Sequence, residues 1–251
     1  MMTKITEKCS MGCSHCMNDA KKTGNHMSFD TFKKVVEFYK QVSPVFGFIT
    51  GGEPFEHPDC IKFIEYYLEE IPSAILTIAT NGAAFESPDI AKFVYKMSKK
   101  EGYPVTFQVS TDTKYYPYQI DTNLPVYHLD NIVLINKIPK IYPQGRAVSN
   151  NLEWKAIGSK CFNCRAMAHQ MSVKSFPLLL SMLAVKDRFC TPHIDINGNI
   201  KLGESDLCPV CSNIFKPHNE IFNDILKFDC NKCDFINKNL PSEYLNIIKP
   251  E

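Results

Sequence analysis

The chain has 251 residues, of which 44% are hydrophobic, and its formal net charge at pH 7 is +1. This length and apolar content suffice for one large domain, or for one domain with a small appendage. The near-neutral charge argues against a dedicated nucleic-acid surface. Because the sequence contains neither an apolar run of about 18 residues nor a signal-peptide pattern, we expect a cytoplasmic protein with no membrane partner.

Eleven cysteines are present, an odd number, and several stand at spacings typical of metal ligands. Reduced thiols that bind iron are therefore a better interpretation than disulfide bonds. The first three, Cys9, Cys13 and Cys16, form a Cys-x-x-x-Cys-x-x-Cys run. Three thiolates hold three irons of a 4Fe-4S cluster and leave the fourth iron open. Half of a tetrahedral zinc site is the alternative that this spacing leaves open.

Strand and helix signals alternate from the start of the chain. Residues 2–6 are predicted as a strand that leads into the cysteine run, and Ser28 is predicted to cap a helix. A second strand is predicted over 45–49, followed by the turn Gly51-Gly52-Glu53-Pro54. Its glycines let the backbone approach a ligand, and its carboxylate can accept hydrogen bonds from an ammonium group. An ordinary turn before a helix is the alternative for this segment.

Further units of the same kind follow. Helices are predicted from Pro58 and from Ser87-Pro88, and strands over residues 74–79, 105–110 and 132–135. Repeated βα units predict an α/β fold with a parallel sheet, curled into a barrel or partial barrel. In such a fold the site lies at the carboxyl ends of the strands.

The cysteine run and the Gly-Gly-Glu-Pro turn together resemble the radical S-adenosylmethionine (radical SAM) enzymes. The resemblance implies a partial (β/α) barrel in which the three cysteines bind a 4Fe-4S cluster. The open iron would take the amino and carboxylate groups of SAM. The residues implied in SAM binding are Gly51, Gly52, Glu53 and Pro54 for the methionyl part, and Asn81, Ser110 and Asp112 near the ribose. For the last three, ordinary turn and surface roles are the alternative, and the adenine-binding side is unassigned.

Residues 142–147 follow the fifth predicted strand and resemble the Gly-Arg-Ala turn of several radical SAM enzymes. The planar guanidinium of Arg146 can pair with the carboxylate of SAM or of a substrate. A solvated surface charge is the alternative.

Cysteines dominate the chain beyond residue 155. Cys190 and Cys208 flank a predicted two-residue hairpin at Asn197-Gly198. Cys230 and Cys233 follow a helix predicted through Ile221, Ile225 and Leu226, and the four thiols can complete a closed metal site.

This order of cysteines resembles the start of the SPASM pattern in the shortened form called a twitch domain. The resemblance implies an auxiliary 4Fe-4S cluster held by all four thiols, whereas a zinc ribbon is the alternative. We therefore predict a radical SAM barrel over residues 1–155 and a small auxiliary-cluster domain over 156–251.

Four cysteines and one histidine are left. Cys60 is predicted as a core residue of a helix. His15 is predicted to pack beside the cysteines or to support them from behind, and not to be a ligand. Cys161, Cys164 and Cys211 could contribute to a second auxiliary cluster, form a redox pair, or only line the cavity.

The resemblance implies an enzyme that cleaves SAM reductively and uses a 5′-deoxyadenosyl radical to take hydrogen from its substrate. A low-potential donor of the flavodoxin or ferredoxin type would supply the electron. The first substrate hypothesis is a ribosomally made peptide or protein that is cross-linked, oxidised or epimerised. The second is a sugar or cyclitol alcohol, oxidised by a small-molecule dehydrogenase. A hypothesis of another class is a non-catalytic iron-sulfur or zinc protein.

Overall fold

The computed structural model describes residues 2–42, 46–72, 74–102, 105–111, 114–136, 141, 145–152, 193–201 and 209–227. Its strands are β1 Met2–Lys4, β2 Phe46–Thr50, β3 Ile75–Thr80, β4 Val105–Ser110, β5 Ile132–Ile135, β6 His193–Ile194, β7 Asn199–Lys201 and β8 Val210–Asn213. Its helices are α1 Phe29–Val42, α2 Cys60–Glu70, α3 Pro88–Ser98, α4 Arg146–Ser149 and α5 His218–Lys227.

The strands in these ranges form one sheet in the order β5-β4-β3-β2-β1-β6-β7-β8. Strands β1 to β5 pair in parallel, and α1, α2 and α3 connect the first four of them in turn. This arrangement confirms the predicted fold class, a mixed α/β fold consistent with a partial (β/α) barrel. Because the strands are parallel, all their carboxyl ends lie along one edge of the sheet.

The core lies between the sheet and its helices. Alternate residues of β3 and β4 are buried, as Leu76 and Phe107 show with no exposed surface. The helices add aromatic side chains from their apolar faces, and the rings of Phe32 and Phe63 stack at 4.3 Å between centroids. Burial of such large apolar side chains fixes the strands and therefore the positions of their ends.

At the starts of α1 and α2, side chains accept hydrogen bonds from backbone amides. The hydroxyl of Ser28 accepts a hydrogen bond from the Thr31 amide at 3.1 Å, which confirms the predicted cap of α1. The predicted start of α2 at Pro58 is wrong, because the helix begins at Cys60. The cause is His57, whose Nδ1 accepts the Asp59 amide at 2.9 Å and holds the chain in a turn before the helix.

The last three strands extend the sheet beyond β1. Strand β6 is parallel to β1, whereas β7 and β8 are antiparallel. The predicted hairpin is present, but the prediction of a two-residue turn is wrong. Asp195 and Asn199 are joined by a backbone hydrogen bond of 3.0 Å, which leaves residues 196–198 in the turn. The Asp195 carboxylate accepts the amides of Asn197 and Asn199, and Gly198 takes a φ of +77°, typical of three-residue hairpins.

The predicted helix through Ile221 is confirmed by α5. The predicted domain boundary between residues 155 and 156 lies outside the described residues, and it stays a prediction. Among the described helices, each is too short or too polar to serve as a membrane span.

Candidate functional site

Three cysteines meet on the loop between β1 and α1, residues 5–28, which we call the cysteine loop. Cys9 and Cys13 are each 8% exposed, and Cys16 packs against them. The thiols line a cavity of about 280 Å³ at the carboxyl edge of the parallel strands. The same cavity is lined by Thr50, Gly51, Gly52, Asn81, Ser110 and Arg146. The structure therefore brings residues from five separate segments to one place.

Backbone hydrogen bonds close the cysteine loop on itself. The amides of Glu7 and Cys9 donate to the carbonyls of Asn25 and Lys21 at 2.8 and 2.9 Å. Gly12 adopts a φ of +71°, a conformation that favours glycine over residues with a side chain. The sequence between the first two cysteines therefore allows a tight reversal of the chain.

The glycine turn after β2 packs directly on the cysteine loop. The Gly52 amide donates to the Thr6 carbonyl at 2.7 Å, and the Glu53 amide donates to the Lys8 carbonyl at 2.8 Å. A Cβ atom at Gly51 would lie 2.5 Å from the Thr6 carbonyl oxygen, and one at Gly52 would overlap the Lys8 carbonyl. Glycine is thus required here for contact between two loops, a reason that the sequence alone did not reveal. Approach to a ligand stays a prediction.

Glu53 is buried behind the cavity wall and does not line it. Its carboxylate accepts hydrogen bonds from the Thr80 hydroxyl and the Asn81 amide, both at 2.7 Å, and from the Phe55 amide at 3.2 Å. Burial raises the pKa of Glu53 to about 7, although these hydrogen bonds oppose the rise. The carboxylate therefore joins the glycine turn to the end of β3, and its predicted contact with an ammonium group stays a prediction. Pro54, which is buried, begins a 3-10 turn beside it.

Asn81 and Ser110 both face the cysteine cavity from the ends of β3 and β4. The side-chain amide of Asn81 donates to Cys9 Sγ at 3.8 Å, and its oxygen accepts the Ala83 amide at 2.9 Å. Both residues also line a second cavity of about 330 Å³, with Tyr116 shared between the two. Asp112 lies outside the described residues, so its predicted place beside Ser110 stays a prediction.

Arg146 lies at the start of α4 and holds the cysteine loop. Its Nε donates to the Cys13 carbonyl at 2.8 Å, and its Nη1 donates to the Ala20 carbonyl at 2.7 Å. Its backbone amide donates to the Cys16 carbonyl at 2.9 Å. The remaining nitrogen, Nη2, is buried and has no hydrogen-bond partner in the part of the chain that the structure describes. This nitrogen is the group left for the predicted pairing with a carboxylate.

Cys9 and Cys13 lie in surroundings that disfavour the thiolate form. Burial raises the pKa of Cys13 to about 12, with a smaller contribution from the nearby Cys9 and Cys16, whereas the Arg146 charge lowers it. Burial also raises the pKa of Cys9. Metal binding requires thiolates. A bound group with positive charge at its metal atoms would therefore stabilise the thiolates, which are unfavourable in these buried positions.

The residues present are compatible with a 4Fe-4S cluster. Within the described ranges, no three His, Cys, Asp or Glu side chains are placed to hold one metal ion. The three thiols instead face a cavity of about 280 Å³. A 4Fe-4S cluster is larger than an ion and takes its thiolate ligands at separate irons, as this arrangement allows.

Some neighbours of the cavity were not predicted from the sequence. Glu56 accepts two hydrogen bonds from Ser10 in the cysteine loop. Tyr116 lines both cavities, and His15 packs beside it with ring centroids 5.5 Å apart, as predicted for a packing residue. A resemblance to a motif could not indicate Glu56 or Tyr116, because neither belongs to the motif.

The remaining cysteines divide into two groups. Cys60 is 3% exposed in the core, as predicted, and the thiol of Cys211 on β8 donates to the Ile200 carbonyl at 3.1 Å. Of the cysteines considered for auxiliary clusters, only Cys211 is described, and its part in a second cluster stays a prediction. The others lie outside the described residues and are Cys161, Cys164, Cys190, Cys208, Cys230 and Cys233.

Solved structures of other proteins share this fold. The chain is similar to BtrN in complex with AdoMet and 2-DOIA, with 16% identity and a TM-score of 0.59 over 95% of this chain and 84% of BtrN. It is similar to Streptococcus suis SuiB bound to precursor peptide SuiA, with 12% identity and a TM-score of 0.51 over 100% of this chain and 66% of SuiB. It is also similar to anSMEcpe with bound AdoMet and a Cp18Cys peptide, with 12% identity and a TM-score of 0.51 over 95% of this chain and 86% of that one.

Comparison with curated proteins found no match. The profile of the radical SAM superfamily, in contrast, matches residues 3–131, just over half of the chain. The matched segment contains β1 to β4, the cysteine loop, and the glycine turn that packs on it. By this match, and with a fold shared with AdoMet-bound structures, the chain belongs to the radical SAM superfamily.

Proposed function

We propose that this protein is an active radical SAM enzyme that binds a 4Fe-4S cluster through Cys9, Cys13 and Cys16. The observation that carries the proposal is their placement in one cavity with the glycine turn and Arg146. The three thiols pack together and face the same cavity, as the ligands of one cluster must. When bound, the cluster supplies the electron that cleaves SAM, and the resulting 5′-deoxyadenosyl radical takes a hydrogen atom from the substrate.

The chain's own residues bind and orient the methionyl part of SAM. The backbone of Thr50, Gly51 and Gly52 lines the cavity and offers polar groups without side chains in the way. The unpartnered Nη2 of Arg146 can donate to the carboxylate of SAM. Glu53 acts from behind this wall, because its hydrogen bonds to Thr80 and Asn81 fix the turn against the end of β3.

The second cavity is suited to the adenosine part of SAM. It adjoins the first through Asn81, Ser110 and Tyr116. Its other described polar side chains, of Thr111, Tyr118, Gln119, Thr122 and Asn136, are uncharged. Ribose and adenine are uncharged groups with several donors and acceptors, so hydroxyl and amide side chains match them. Asp112 follows directly in sequence and is proposed as a ribose ligand.

Further components follow from the sequence resemblance alone. An auxiliary 4Fe-4S cluster is proposed at Cys190, Cys208, Cys230 and Cys233, in a twitch-type domain. A flavodoxin or ferredoxin type donor is proposed as the source of electrons, and the cytoplasm as the location. A reduced compartment suits both the thiols and the donor.

A ribosomally made peptide or protein is the first proposed substrate class, modified by cross-linking, oxidation or epimerisation. Support comes from SuiB and anSMEcpe, which share the fold and were solved with peptides bound. A sugar or cyclitol alcohol is the second class. It is supported by BtrN, solved with 2-DOIA, which gives the higher TM-score and matches this chain over most of its length.

Anaerobic reconstitution with iron and sulfide tests the proposed activity. With SAM and dithionite, the loaded protein is expected to release 5′-deoxyadenosine, and iron should approach about eight atoms per chain for two clusters. The triple variant Cys9→Ala/Cys13→Ala/Cys16→Ala should lose about four irons and all SAM cleavage. Cys60→Ala is the matched control, because Cys60 lies in the core away from the cavity, and it should retain both.

Two outcomes would redirect the proposal. Fully loaded protein that never releases 5′-deoxyadenosine would leave a non-catalytic iron-sulfur protein, and zinc in place of iron would leave a zinc protein. The substrate classes are separated by supplying, in parallel, a short peptide encoded beside this chain and an amino cyclitol such as 2-deoxy-scyllo-inosamine. The true class gives a product detected by mass spectrometry, in amounts that match the 5′-deoxyadenosine released.

A further inference from the structure

Two side chains of opposite charge hold the cysteine run, Glu56 at its start and Arg146 towards its end. At the start of the run, both oxygens of the Glu56 carboxylate accept hydrogen bonds from Ser10. The backbone amide of Ser10 donates to Oε1 at 2.6 Å, and the hydroxyl donates to Oε2 at 2.8 Å. Since Ser10 directly follows Cys9, this carboxylate fixes the start of the cysteine run.

Arg146 fixes the end of the run. It binds the carbonyls of Cys13 and Cys16, the other two predicted cluster ligands, through Nε and through its backbone amide. Its Nη1 also binds the Ala20 carbonyl and lies 3.3 Å from the Asp19 carboxylate. The side chain of Arg146 is only 20% exposed, so its charge is poorly screened by solvent.

The segment around Arg146 is built to lie against the loop. Gly145 has a φ of +58°, and a Cβ atom there would overlap the Cys16 carbonyl. The side-chain amide of Asn150 donates to the Ser14 carbonyl at 2.8 Å. Residues about 130 positions away in sequence thus contact three successive parts of the cysteine loop.

We propose that Glu56 and Arg146 are positioning residues that hold the cysteine loop and shift the reduction potential of its cluster in opposite directions. The inference rests on the proposed cluster at Cys9, Cys13 and Cys16. Reduction adds one negative charge to the cluster. A neighbouring positive charge favours that step and a negative charge opposes it. Arg146 should therefore raise the potential, and Glu56 should lower it.

The variants are chosen to separate charge from hydrogen bonding. Glu56→Gln removes the charge but keeps two polar atoms for Ser10. Arg146→Lys keeps the charge but loses the planar fork that reaches two carbonyls, whereas Arg146→Met loses both. Glu65→Gln and Lys96→Met are the matched controls. They make the same charge changes at an exposed ion pair between α2 and α3.

The measurement is a redox titration of the reconstituted full chain without SAM, followed by electron paramagnetic resonance. The cluster of interest is identified in the wild-type protein as the one whose spectrum changes when SAM is added afterwards, and it is followed in the variants by that same spectrum without SAM. The midpoint potential is expected to rise in Glu56→Gln and to fall in Arg146→Met, with little change in Arg146→Lys and in both controls. Iron loss to a chelator should be about tenfold faster in both Arg146 variants, a factor worth about 1.4 kcal/mol, in the range of one hydrogen bond to a charged group.

The outcomes discriminate between failures. The inference is overturned, and the proposed function stands, if the wild-type cluster responds to SAM but the midpoint potential changes in neither Glu56→Gln nor Arg146→Met. The same holds if the potentials of these two variants change in the same direction. If the wild-type protein contains no cluster that responds to SAM, the proposed function fails and the inference fails with it. Circular dichroism identifies a variant that is merely unfolded, and Glu56→Gln then carries the test, because its site is at the surface.

Discussion

The parallel scaffold and the cysteine loop are held together by different forces. Strands β1 to β5 and their helices share one large apolar core, in which side chains such as Phe32 and Phe63 are fully buried. Around its cysteines the loop has only a small apolar cluster, although Ile5 and Met27 near its two ends belong to the large core. Hydrogen bonds within the loop and from other segments, including Glu56 and Arg146, hold the cysteine run in place. The shape of the run therefore depends on directional contacts in addition to apolar packing.

This difference has a functional consequence. Apolar contacts are not directional, so the scaffold tolerates repacking of similar volume. Hydrogen bonds are directional, and a ligand loop fixed by them keeps its thiols in defined places. The loop should then respond to changes that barely affect global stability, and the following variants test that separation.

The largest effect is expected from Phe63→Ala in the scaffold. Phe63 has no exposed surface, stacks on Phe32 with ring centroids 4.3 Å apart, and contacts the tilted ring of His57 at 4.5 Å. Removing a buried phenylalanine ring leaves a cavity and costs about 3–5 kcal/mol. Chemical denaturation should show this loss in the free energy of unfolding. Cluster loading should fall in parallel, because the loop depends on the scaffold.

A matched control is Phe46→Ala at the start of β2. Phe46 is 44% exposed, so most of its ring is already in contact with water. Its truncation should cost clearly less than that of Phe63 and leave iron content unchanged. Equal losses for the two variants would contradict a scaffold stabilised chiefly by its buried core.

The scaffold was predictable from sequence because its signals are local. The five parallel strands were placed within about two residues, since β-branched and apolar runs bounded by Gly, Pro or Asn mark them. The errors were at boundaries. The start of α2 moved because the His57 side chain accepts the Asp59 amide. The turn of the β6–β7 hairpin lengthened because the Asp195 carboxylate binds two backbone amides.

The site was predictable only as far as its motifs extend. The cysteine run and the glycine turn indicated which segments meet, but not the reason for glycine at Gly52, which is contact with the Lys8 carbonyl. The contacts of Glu56 and Arg146 with the cysteine loop join residues 46 to 133 positions apart. No local pattern encodes such pairs, because they depend on how the whole sheet brings its ends together.

The next effect concerns the pH dependence of stability through Glu53. Its pKa rises from an ordinary 4.5 to about 7 on folding, chiefly because of burial. Between these values the native state binds more protons than the unfolded state, so stability should fall as pH rises from about 4.5 to about 7 and then level off. At about 1.4 kcal/mol per pKa unit, the loss is at most about 3.5 kcal/mol.

Glu53→Gln should remove this slope. Denaturation at pH 5, 6, 7 and 8 measures the free energy of unfolding of wild type and variant. Other titrating groups contribute equally to both proteins, so their contributions cancel in the difference. That difference should favour wild type most at pH 5. The control Glu65→Gln removes an exposed carboxylate on α2 and should change the free energy of unfolding by no more than about 1 kcal/mol. A difference for Glu53→Gln that stays constant from pH 5 to pH 8 would contradict the raised pKa of the buried carboxyl.

The smallest effect on stability, and the sharpest on the loop, is expected from Gly52→Ala. The new methyl group would overlap the Lys8 carbonyl, and since both partners are backbone, the cysteine loop must move. Crowding of this kind costs about 1–3 kcal/mol. Gly102→Ala is the control: its φ of +92° makes alanine strained, but no atom lies within 4 Å. The two variants should lose similar stability, about 1–2 kcal/mol for the control, yet only Gly52→Ala should lose iron on reconstitution. Similar iron loss in both would mean that the cluster depends on global stability and not on the fit between the two loops.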